Sequence, residues 1–348
     1  MNIVYFYSEV MGYTLAVIKS LVKDHGAKVH VVFWDKGLHT PFELPALEGV
    51  HYYKRSEMSR ARLEQLLIDL SPPLLYISGR MDSDYLKASV KVRRKGTIVV
   101  SGFDNQWKPS LKNYAVMILS RWLYKKYFDF IWIPGTYQYE FAKRLGYSNQ
   151  QIIWNLLSAD TDLFRFEDLP KEVNKQFVFT GRFAPVKGIE LLIEAFLKSK
   201  KVQPHNWKLV LIGNGPLAET FDAHEDIQIM NFMQPEQLAE KMHEGGVFVL
   251  PSLNEPWGVV LHEYASAGFP IICSEACGAA LTFVQNDYNG FIVLTGNLEA
   301  LTESLLKMVR LSSDELKQMG TRSHELSKKI TPLISSSSLL SVLKNKRT

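Results

Sequence analysis

The chain has 348 residues, of which 46% are apolar and 22% are charged, and its formal net charge at pH 7 is +4. This composition excludes an intrinsically disordered protein, and the length exceeds what one compact core usually supports, so we expect two domains. No apolar run approaches the roughly 20 residues that a membrane-spanning helix needs.

The first ten residues, MNIVYFYSEV, are typical of a β-strand and lack the basic start and cleavage site of a signal peptide. The sequence therefore predicts a cytoplasmic protein. The two cysteines, Cys273 and Cys277, are too few for a disulfide framework, and no nearby histidines complete a zinc site with them. We expect both to be buried free thiols.

Short apolar runs alternate with amphipathic stretches along the chain, which is typical of βα units and a parallel sheet. The strand candidates of the first half are NIVYFY, AKVHVVFW, GVHYY, LLYIS, TIVVS and FIWIP. Those of the second half are QFVFTG, WKLVLIG, IQIMNF, VFVLPS, PIICS and GFIVL. This α/β pattern predicts two doubly wound, Rossmann-like domains facing a central cleft, with ligands beyond the carboxyl ends of the strands.

The polar segment FEDLPKEVNK, residues 166–175, marks the predicted domain boundary. We assign residues 1–168 to an N-terminal domain and residues 169–328 to a C-terminal domain. Residues 329–348 are a tail or last helix that either stays apart or returns to the N-terminal domain.

Positive charge is concentrated in residues 1–165, where lysine and arginine outnumber aspartate and glutamate. One basic cluster contains Lys91, Arg93, Arg94 and Lys95, and a second contains Arg121, Lys125 and Lys126 among Trp122, Tyr124, Tyr127 and Phe128. Each cluster fits either a solvated basic face or a surface that meets phosphates or an anionic membrane. No helix-turn-helix, zinc or ribonucleoprotein motif accompanies them, so nucleic-acid binding is not expected.

The loop after the strand QFVFT reads GRFAPVKG and carries two cations, Arg182 and Lys187, between Gly181 and Gly188. A guanidinium and an ammonium in a strand-to-helix loop can share the oxygens of a diphosphate. The same pattern also fits a loop with two surface cations.

The next strand ends in LIGNGPL, where Gly213 and Gly215 flank Asn214. The spacing falls short of the full dinucleotide-binding fingerprint. It fits either a tight turn before a helix or a turn whose backbone approaches a ligand closely.

The segment LPSLNEPWGVVLHEYASAGFP predicts a buried strand end, a Pro-Trp-Gly turn and a helix that ends at Gly268. The amides of Gly258, Val259 and Val260 lie at the predicted helix start, where free donors and the helix dipole favour an anion.

Glu255 and Glu263 lie eight positions apart in this segment, a separation of about 12 Å if all eight residues are helical. A carboxylate accepts hydrogen bonds from vicinal hydroxyls, so the pair fits the two ends of a nucleotide-sugar. The alternative interpretation is a solvated helix face.

Together these segments resemble the retaining glycosyltransferases of the GT-B fold, specifically family 4, also called glycosyl transferase group 1. The matching elements are DTDLF, GRFAPVKG, LVLIGNGPL, the E-x7-E element with its PS-x-x-E-P-W-G lead, AGFPII and NDYNGFIV. The resemblance is strong over residues 176–300 and weaker but continuous before them.

The resemblance implies that Arg182 and Lys187 neutralise the donor diphosphate, that Glu263 holds the ribose and that Glu255 orients the donor sugar. It also implies that main-chain groups contact the donor. The residues concerned are Gly181, Gly213 and Gly215 in the loops, Trp257, Gly258 and Val259 beside the phosphate and sugar, and Phe232 and Met233 beside the base.

Two further positions follow from the resemblance in the N-terminal half. Asp104 in GFDNQW occupies the place where the family presents a polar residue to the transferred sugar, although a loop-capping role fits equally well. Gly12 in SEVMGYT is the single glycine of the first loop that covers the donor phosphates in the family. The catalytic candidates are therefore Glu255, Asp104, Arg182 and Lys187.

The resemblance implies transfer of a sugar, with retention, from a nucleotide-diphosphate-sugar to a glycan or lipid-linked hydroxyl in cell-surface polysaccharide or glycolipid synthesis. It implies neither a metal nor a cofactor, because fixed cations and amides stabilise the leaving diphosphate. A basic, aromatic N-terminal domain fits peripheral contact with an anionic membrane. The alternatives are a nucleotide-sugar epimerase of the same fold and a non-catalytic nucleotide-sugar-binding protein.

Overall fold

The computed structural model describes residues 1–36, 42–107, 109–166, 173–221 and 223–344. The chain divides into two compact units. The N-terminal unit comprises Met1–Ser158 and Pro332–Thr348, and the C-terminal unit comprises Ala159–Thr331. The boundary between the units thus falls earlier than the predicted residue 168, and residues 167–172 of the predicted linker lie outside the described residues.

The N-terminal unit contains a parallel sheet in which helices follow most of the strands. Its strands are β1 (Asn2–Tyr7), β2 (Lys28–Phe33), β3 (Val50–Lys54), β4 (Leu74–Ile77), β5 (Ile98–Gly102), β6 (Phe130–Trp132) and β7 (Ile152–Ile153). Its helices are α1 (Gly12–Lys23), α2 (Arg60–Leu70), α3 (Ser83–Arg93), α4 (Leu111–Tyr127) and α5 (Thr136–Arg144). The strand order across the described residues is β3-β2-β1-β4-β5-β6-β7.

Strand β1 shows why this sheet is covered on both faces. Ile3, Tyr5 and Tyr7 are buried in one apolar cluster, whereas the alternating Val4 and Phe6 are buried in the other. Because successive side chains of a strand point to opposite faces, a continuous apolar run specifies a strand that is buried on both sides.

The C-terminal unit repeats this plan. Its strands are β8 (Gln176–Thr180), β9 (Lys208–Ile212), β10 (Ile227–Met230), β11 (Val247–Leu250), β12 (Ile271–Ser274) and β13 (Gly290–Val293). Its helices are α6 (Ile189–Val202), α7 (Pro235–Met242), α8 (Val259–Ser266), α9 (Ala280–Phe283), α10 (Leu298–Arg310) and α11 (Ser313–Ser327). The described strands pair in the order β10-β9-β8-β11-β12-β13, all parallel.

The direction of winding in the C-terminal sheet reverses between β8 and β11. Such a reversal of strand order is where ligands bind in open α/β sheets, beyond the carboxyl ends of the strands. The topology therefore selects the loops after β8 and β11 as the candidate site.

All twelve strand candidates from the sequence form strands, so the prediction of two Rossmann-like units is confirmed. Strand β7 is the additional one, and its two residues are too short to show a periodicity. Both cysteines are buried free thiols, as predicted.

The C-terminal tail contains helix α12 (Pro332–Leu340), which packs against α1 within the N-terminal unit. The hydroxyls of Ser20 and Ser336 lie 2.9 Å apart, and the Ser335 hydroxyl donates to the carbonyl of Asn155 at 2.6 Å. The run of serines in the tail thus supplies hydrogen bonds inside the unit.

Helices long and apolar enough to cross a bilayer do not occur among the residues that the structure describes.

Candidate functional site

The loops after β8 and β11 are joined by backbone contacts. The amide of Leu253 donates to the carbonyl of Val186 at 2.8 Å. Gly188 has a φ of +68°, and a Cβ at that position would come within 2.5 Å of the carbonyl oxygen of Pro251. Only glycine allows this approach, so the two loops hold each other at the winding reversal.

Lys187 and Glu255, predicted separately from the two loops, form an ion pair with each other. Their side chains are only 20% and 10% exposed, and the hydroxyl of Ser252 donates to the same carboxylate oxygen at 3.3 Å. Separating a partly buried ion pair is costly, because each charge is then poorly compensated. The two side chains therefore hold each other in place. The pair brings a cation and an acceptor together at the winding reversal.

Gly258 closes the turn between Glu255 and helix α8. Its φ is +89°, and a Cβ there would lie 2.9 Å from the sulfur of Cys277 and 3.0 Å from Cγ of Glu255. The amide of Leu261 donates to the Gly258 carbonyl at 3.0 Å as the first turn of α8 begins. The predicted helix start at Val259 is confirmed, and its first amides lie next to the ion pair in the chain.

The turn is held from the other side by the loop after β12. The amide of Gly278 donates to the Glu255 carbonyl at 3.1 Å, and the amide of Ala279 donates to the Trp257 carbonyl at 2.9 Å. The Cys277 thiol donates to the same Trp257 carbonyl at 3.1 Å. Burial and the charge of Glu255 raise the pKa of this thiol, so it remains protonated.

The Trp257 side chain belongs to the core. It is 2% exposed and packs edge-on against Phe283. Its indole nitrogen is buried without a hydrogen-bond partner in the described part of the chain. The predicted contact of Trp257 with a donor therefore concerns its main chain and not its ring.

Glu263 lies on α8 and is half-buried. Burial, followed by the negative charge of Asp160, raises the pKa of its carboxyl to about 7. The estimate of 12 Å from Glu255 assumed eight helical residues, and that assumption is wrong because α8 begins only at Val259. The helical rise from Val259 to Glu263 is about 6 Å.

Arg182 follows β8 and is exposed to solvent. The residues around it are fixed by the backbone, since the amide of Phe183 donates to the Asn214 carbonyl at 2.8 Å and the amide of Gly181 donates to the Ile212 carbonyl at 3.0 Å. Arg182 is therefore an exposed residue on a loop that backbone hydrogen bonds hold in place.

Gly213 and Gly215 both lie against the loop after β8. A Cβ at Gly213 would lie 1.9 Å from the carbonyl oxygen of Gly181, and one at Gly215 would lie 2.5 Å from that of Phe183. The close packing of the two loops is therefore enough to explain why both positions are glycine. That their backbone also approaches a ligand remains a prediction.

Phe232 and Met233 follow β10 and are half-buried. Strand β10 pairs with β9, and the amide of Gly213 donates to the Met230 carbonyl at 3.0 Å just before them. The two residues therefore lie at the same carboxyl edge as Arg182 and the glycine turn.

Asp104 and Gly12 belong to the N-terminal unit and lie at the carboxyl edge of its sheet. Asp104 follows β5 and is exposed, and its carbonyl accepts a hydrogen bond from Gln138 at 2.9 Å. Gly12 is the first residue of α1, the helix after β1. Burial and, to a lesser degree, the charge of Asp104 raise the pKa of Tyr7 to about 12.

His262 is a residue that sequence reasoning missed. It is completely buried on α8, where its Nδ1 accepts from the amide of Ala159 at 3.0 Å and its Nε2 donates to the carbonyl of Ser327 at 3.0 Å. Burial lowers its pKa to about 4, so the ring is neutral. It joins the first and last segments of the C-terminal unit through α8, and a lone histidine in an apolar helix gives no signal of this.

Groups of three or more histidine, cysteine, aspartate or glutamate side chains that would hold a metal ion are absent from the described residues.

Two Rossmann-like units, each with a parallel sheet, define the GT-B fold. The Anabaena protein HepE, solved in complex with UDP and glucose, shares it with a TM-score of 0.75 at 14% sequence identity, over 99% of this chain and 100% of HepE. Residues 160–326 match the family described as glycosyl transferases group 1. This part of the chain is therefore similar to the group 1 glycosyltransferases.

Curated relatives match over part of their length. An uncharacterized glycosyltransferase of Methanocaldococcus jannaschii, MJ1607, is 29% identical over 134 residues, which are 36% of this chain and 34% of the relative. The capsular polysaccharide biosynthesis glycosyltransferase CapM of Staphylococcus aureus is 29% identical over 151 residues, 41% of this chain and 39% of CapM. The chain thus spans well under half the length of these relatives.

Proposed function

We propose that this protein is a retaining glycosyltransferase that moves a sugar from a nucleotide-diphosphate-sugar to a hydroxyl of a glycan or lipid-linked acceptor. The observation that carries the proposal is the grouping at the winding reversal of the C-terminal sheet, where the Lys187–Glu255 pair adjoins the start of α8. A donor of this class is supported by the UDP and glucose in the HepE complex, and a role in polysaccharide synthesis by the name of CapM.

Each residue has a distinct part in this mechanism. Arg182 and Lys187 bind the diphosphate and stabilise the negative charge that grows as the bond from the sugar to the phosphate breaks. The amides at the start of α8 add backbone hydrogen-bond donors, and the positive end of the helix dipole there favours the anionic diphosphate. The reaction therefore needs no metal ion, and activity should survive a chelator.

Glu255 has a double part in the proposed mechanism. Its carboxylate holds the Lys187 ammonium in place and accepts hydrogen bonds from hydroxyls of the donor sugar. Glu263 accepts from the ribose hydroxyls, and its raised pKa means that binding of the ribose is coupled to loss of a proton. The acceptor hydroxyl attacks on the same face from which the phosphate departs, and that phosphate takes its proton, which retains the configuration.

The proposal is tested first by binding. Melting temperatures are measured with UDP, GDP, ADP and CMP, and the expected result is a rise with one nucleoside diphosphate that grows with its concentration. The variant Glu263→Gln should then weaken binding of that nucleotide at least about tenfold, the loss of a hydrogen bond to a charged group. Glu236→Gln, an exposed glutamate on α7, is the matched control and should bind normally.

Reaction products decide between transfer and its alternatives. The matching nucleotide-sugars are incubated with and without glycan or lipid-linked acceptors. Release of nucleoside diphosphate that depends on an acceptor supports the proposal. Rearrangement of the sugar without an acceptor would instead identify an epimerase, and a rise in melting temperature with no turnover of any acceptor would identify a binding protein.

A further inference from the structure

Helix α4 of the N-terminal unit exposes an unusual number of large apolar side chains. The exposed fractions are 91% for Leu111, 62% for Ile118, 67% for Leu119, 80% for Trp122 and 46% for Leu123. Soluble monomers rarely leave so many neighbouring apolar side chains in water, and such patches mark binding surfaces. We call these five residues the α4 face.

The α4 face is a consequence of how the helix is anchored. Tyr124 and Phe128 are buried in the apolar cluster on one side of the N-terminal sheet. They anchor to the sheet the side of the helix that lies opposite the exposed residues. The guanidinium of Arg80 lies over the Tyr124 ring at 4.2 Å from its centroid. At 3.6 residues per turn, Leu111, Ile118 and Trp122 fall in one narrow stripe that points away from these anchors.

The charges within the α4 segment itself have one sign. Between Asp104 and Asp129 the sequence contains no acidic residue, while Lys125 and Lys126 are exposed in the last turn of the helix. On a helical projection these two lysines lie on either side of the apolar stripe. Met81, the neighbour of Arg80, is 72% exposed.

We propose that the α4 face is a membrane-docking surface that lies on an anionic lipid bilayer. Trp122 and the leucines enter the boundary between headgroups and acyl chains, where tryptophan is favoured, and Lys125 and Lys126 bind lipid phosphates. A second copy of the chain fits this face less well. Symmetric contact would bring four lysines together with no acidic residue from this segment to compensate them.

The experiment is flotation of the full chain with vesicles of phosphatidylcholine, with or without phosphatidylglycerol. The wild-type chain should float with the anionic vesicles at low salt, and less so as salt rises. The double variant Leu119→Ser/Trp122→Ser should partition at least about tenfold more weakly, because two large apolar side chains no longer leave water. Its control is Val202→Ser/Leu294→Ser, which removes two apolar side chains of the C-terminal unit that are 62% and 59% exposed, and it should float as the wild type does.

A second pair of variants tests the charge and does not disturb packing. Lys125→Gln/Lys126→Gln should weaken binding to anionic vesicles by about fivefold for each cation and leave binding to neutral vesicles unchanged. Lys175→Gln/Lys201→Gln in the C-terminal unit is the control. Nucleotide binding should be equal in all of these variants, which separates the surface from the donor site.

Three results would overturn the proposal. The first is a wild-type chain that stays unbound to anionic vesicles at low salt. The second is equal flotation of the Leu119→Ser/Trp122→Ser chain and its control. The third is sedimentation showing a dimer that these substitutions dissociate, which would assign the face to a second copy of the chain.

Discussion

The carboxyl edges of the two sheets differ in how tightly their loops are packed. In the C-terminal unit, glycines 188, 213 and 215 each bring a loop within contact of a neighbouring backbone carbonyl. In the N-terminal unit, Gly79 follows β4 with a φ of +92° and open space around its Cβ position, and Asp104 after β5 is exposed. We infer that the C-terminal edge holds one fixed ligand geometry, as a diphosphate demands, whereas the N-terminal edge leaves room for variation.

The largest effect should come from the glycines that distinguish the two edges. Gly213→Ala would place a Cβ 1.9 Å from the Gly181 carbonyl, so the loops after β8 and β9 must separate. We expect a loss of at least about 3 kcal/mol in the free energy of unfolding. Gly79→Ala meets no atom within 4 Å and should cost about 1 kcal/mol for its positive φ alone.

Urea unfolding of the two glycine variants measures this difference. Equal losses would mean that the C-terminal loops can move apart freely, and the contrast between the two edges would be lost.

The next effect concerns the ion pair of the C-terminal edge. Lys187→Met removes the cation that faces the partly buried Glu255 carboxylate and should cost about 3 kcal/mol. Adding Glu255→Gln removes the uncompensated charge and should restore at least half of the loss. The exposed pair of Arg60 and Glu64 on α2 is the comparison in the N-terminal unit, where Arg60→Met should leave stability nearly unchanged.

Thermal unfolding of the single and double variants reports these changes. A Lys187→Met chain as stable as the wild type would show that Glu255 is already well solvated.

A smaller effect concerns how the free energy of unfolding depends on pH. The adjacent residues His262 and Glu263 have pKa values that are shifted in opposite directions. The folded chain releases the His262 proton more readily than the unfolded chain does, so this residue adds stability as pH rises from about 4 to 6.5. The folded chain holds the Glu263 proton more tightly, so this residue removes stability as pH rises from 4.5 to about 7. In the wild type the two contributions oppose each other.

Single substitutions should uncover each contribution. In Glu263→Gln the free energy of unfolding should rise with pH relative to the wild type, by up to about 1.4 kcal/mol per pH unit between pH 4.5 and 6.5. In His262→Gln it should fall with a similar slope over that range, whatever the overall loss of stability. Denaturant unfolding at several pH values measures the slopes, and parallel curves for all three proteins would contradict the shifted pKa values.

Much of the fold was predictable because it depends on local patterns. Apolar runs such as NIVYFY specify strands that are buried on both faces, and Gly268 marks the end of α8. Strand β7 has two residues and carries no such pattern.

The candidate site was only partly predictable. Residue types and loop positions selected Lys187 and Glu255, but their pairing depends on the contact between the loops after β8 and β11, which the sequence does not display. The burial of His262 depends in the same way on distant segments. The turn before α8 was predicted, but the estimated separation of Glu255 and Glu263 treated all eight residues between them as helical.

The proposed function requires that a diphosphate binds the loop after β8. Arg182 gives the sharpest test of this binding because its side chain is exposed and its loss disturbs no packing. Calorimetric titration compares Arg182→Gln with Arg310→Gln, an exposed arginine on α10, using the nucleoside diphosphate that stabilises the chain. We expect binding at least about tenfold weaker for Arg182→Gln, the same binding as wild type for Arg310→Gln, and little difference for the parent nucleoside. Equal affinity of both variants for the diphosphate would show that the loop after β8 does not bind it.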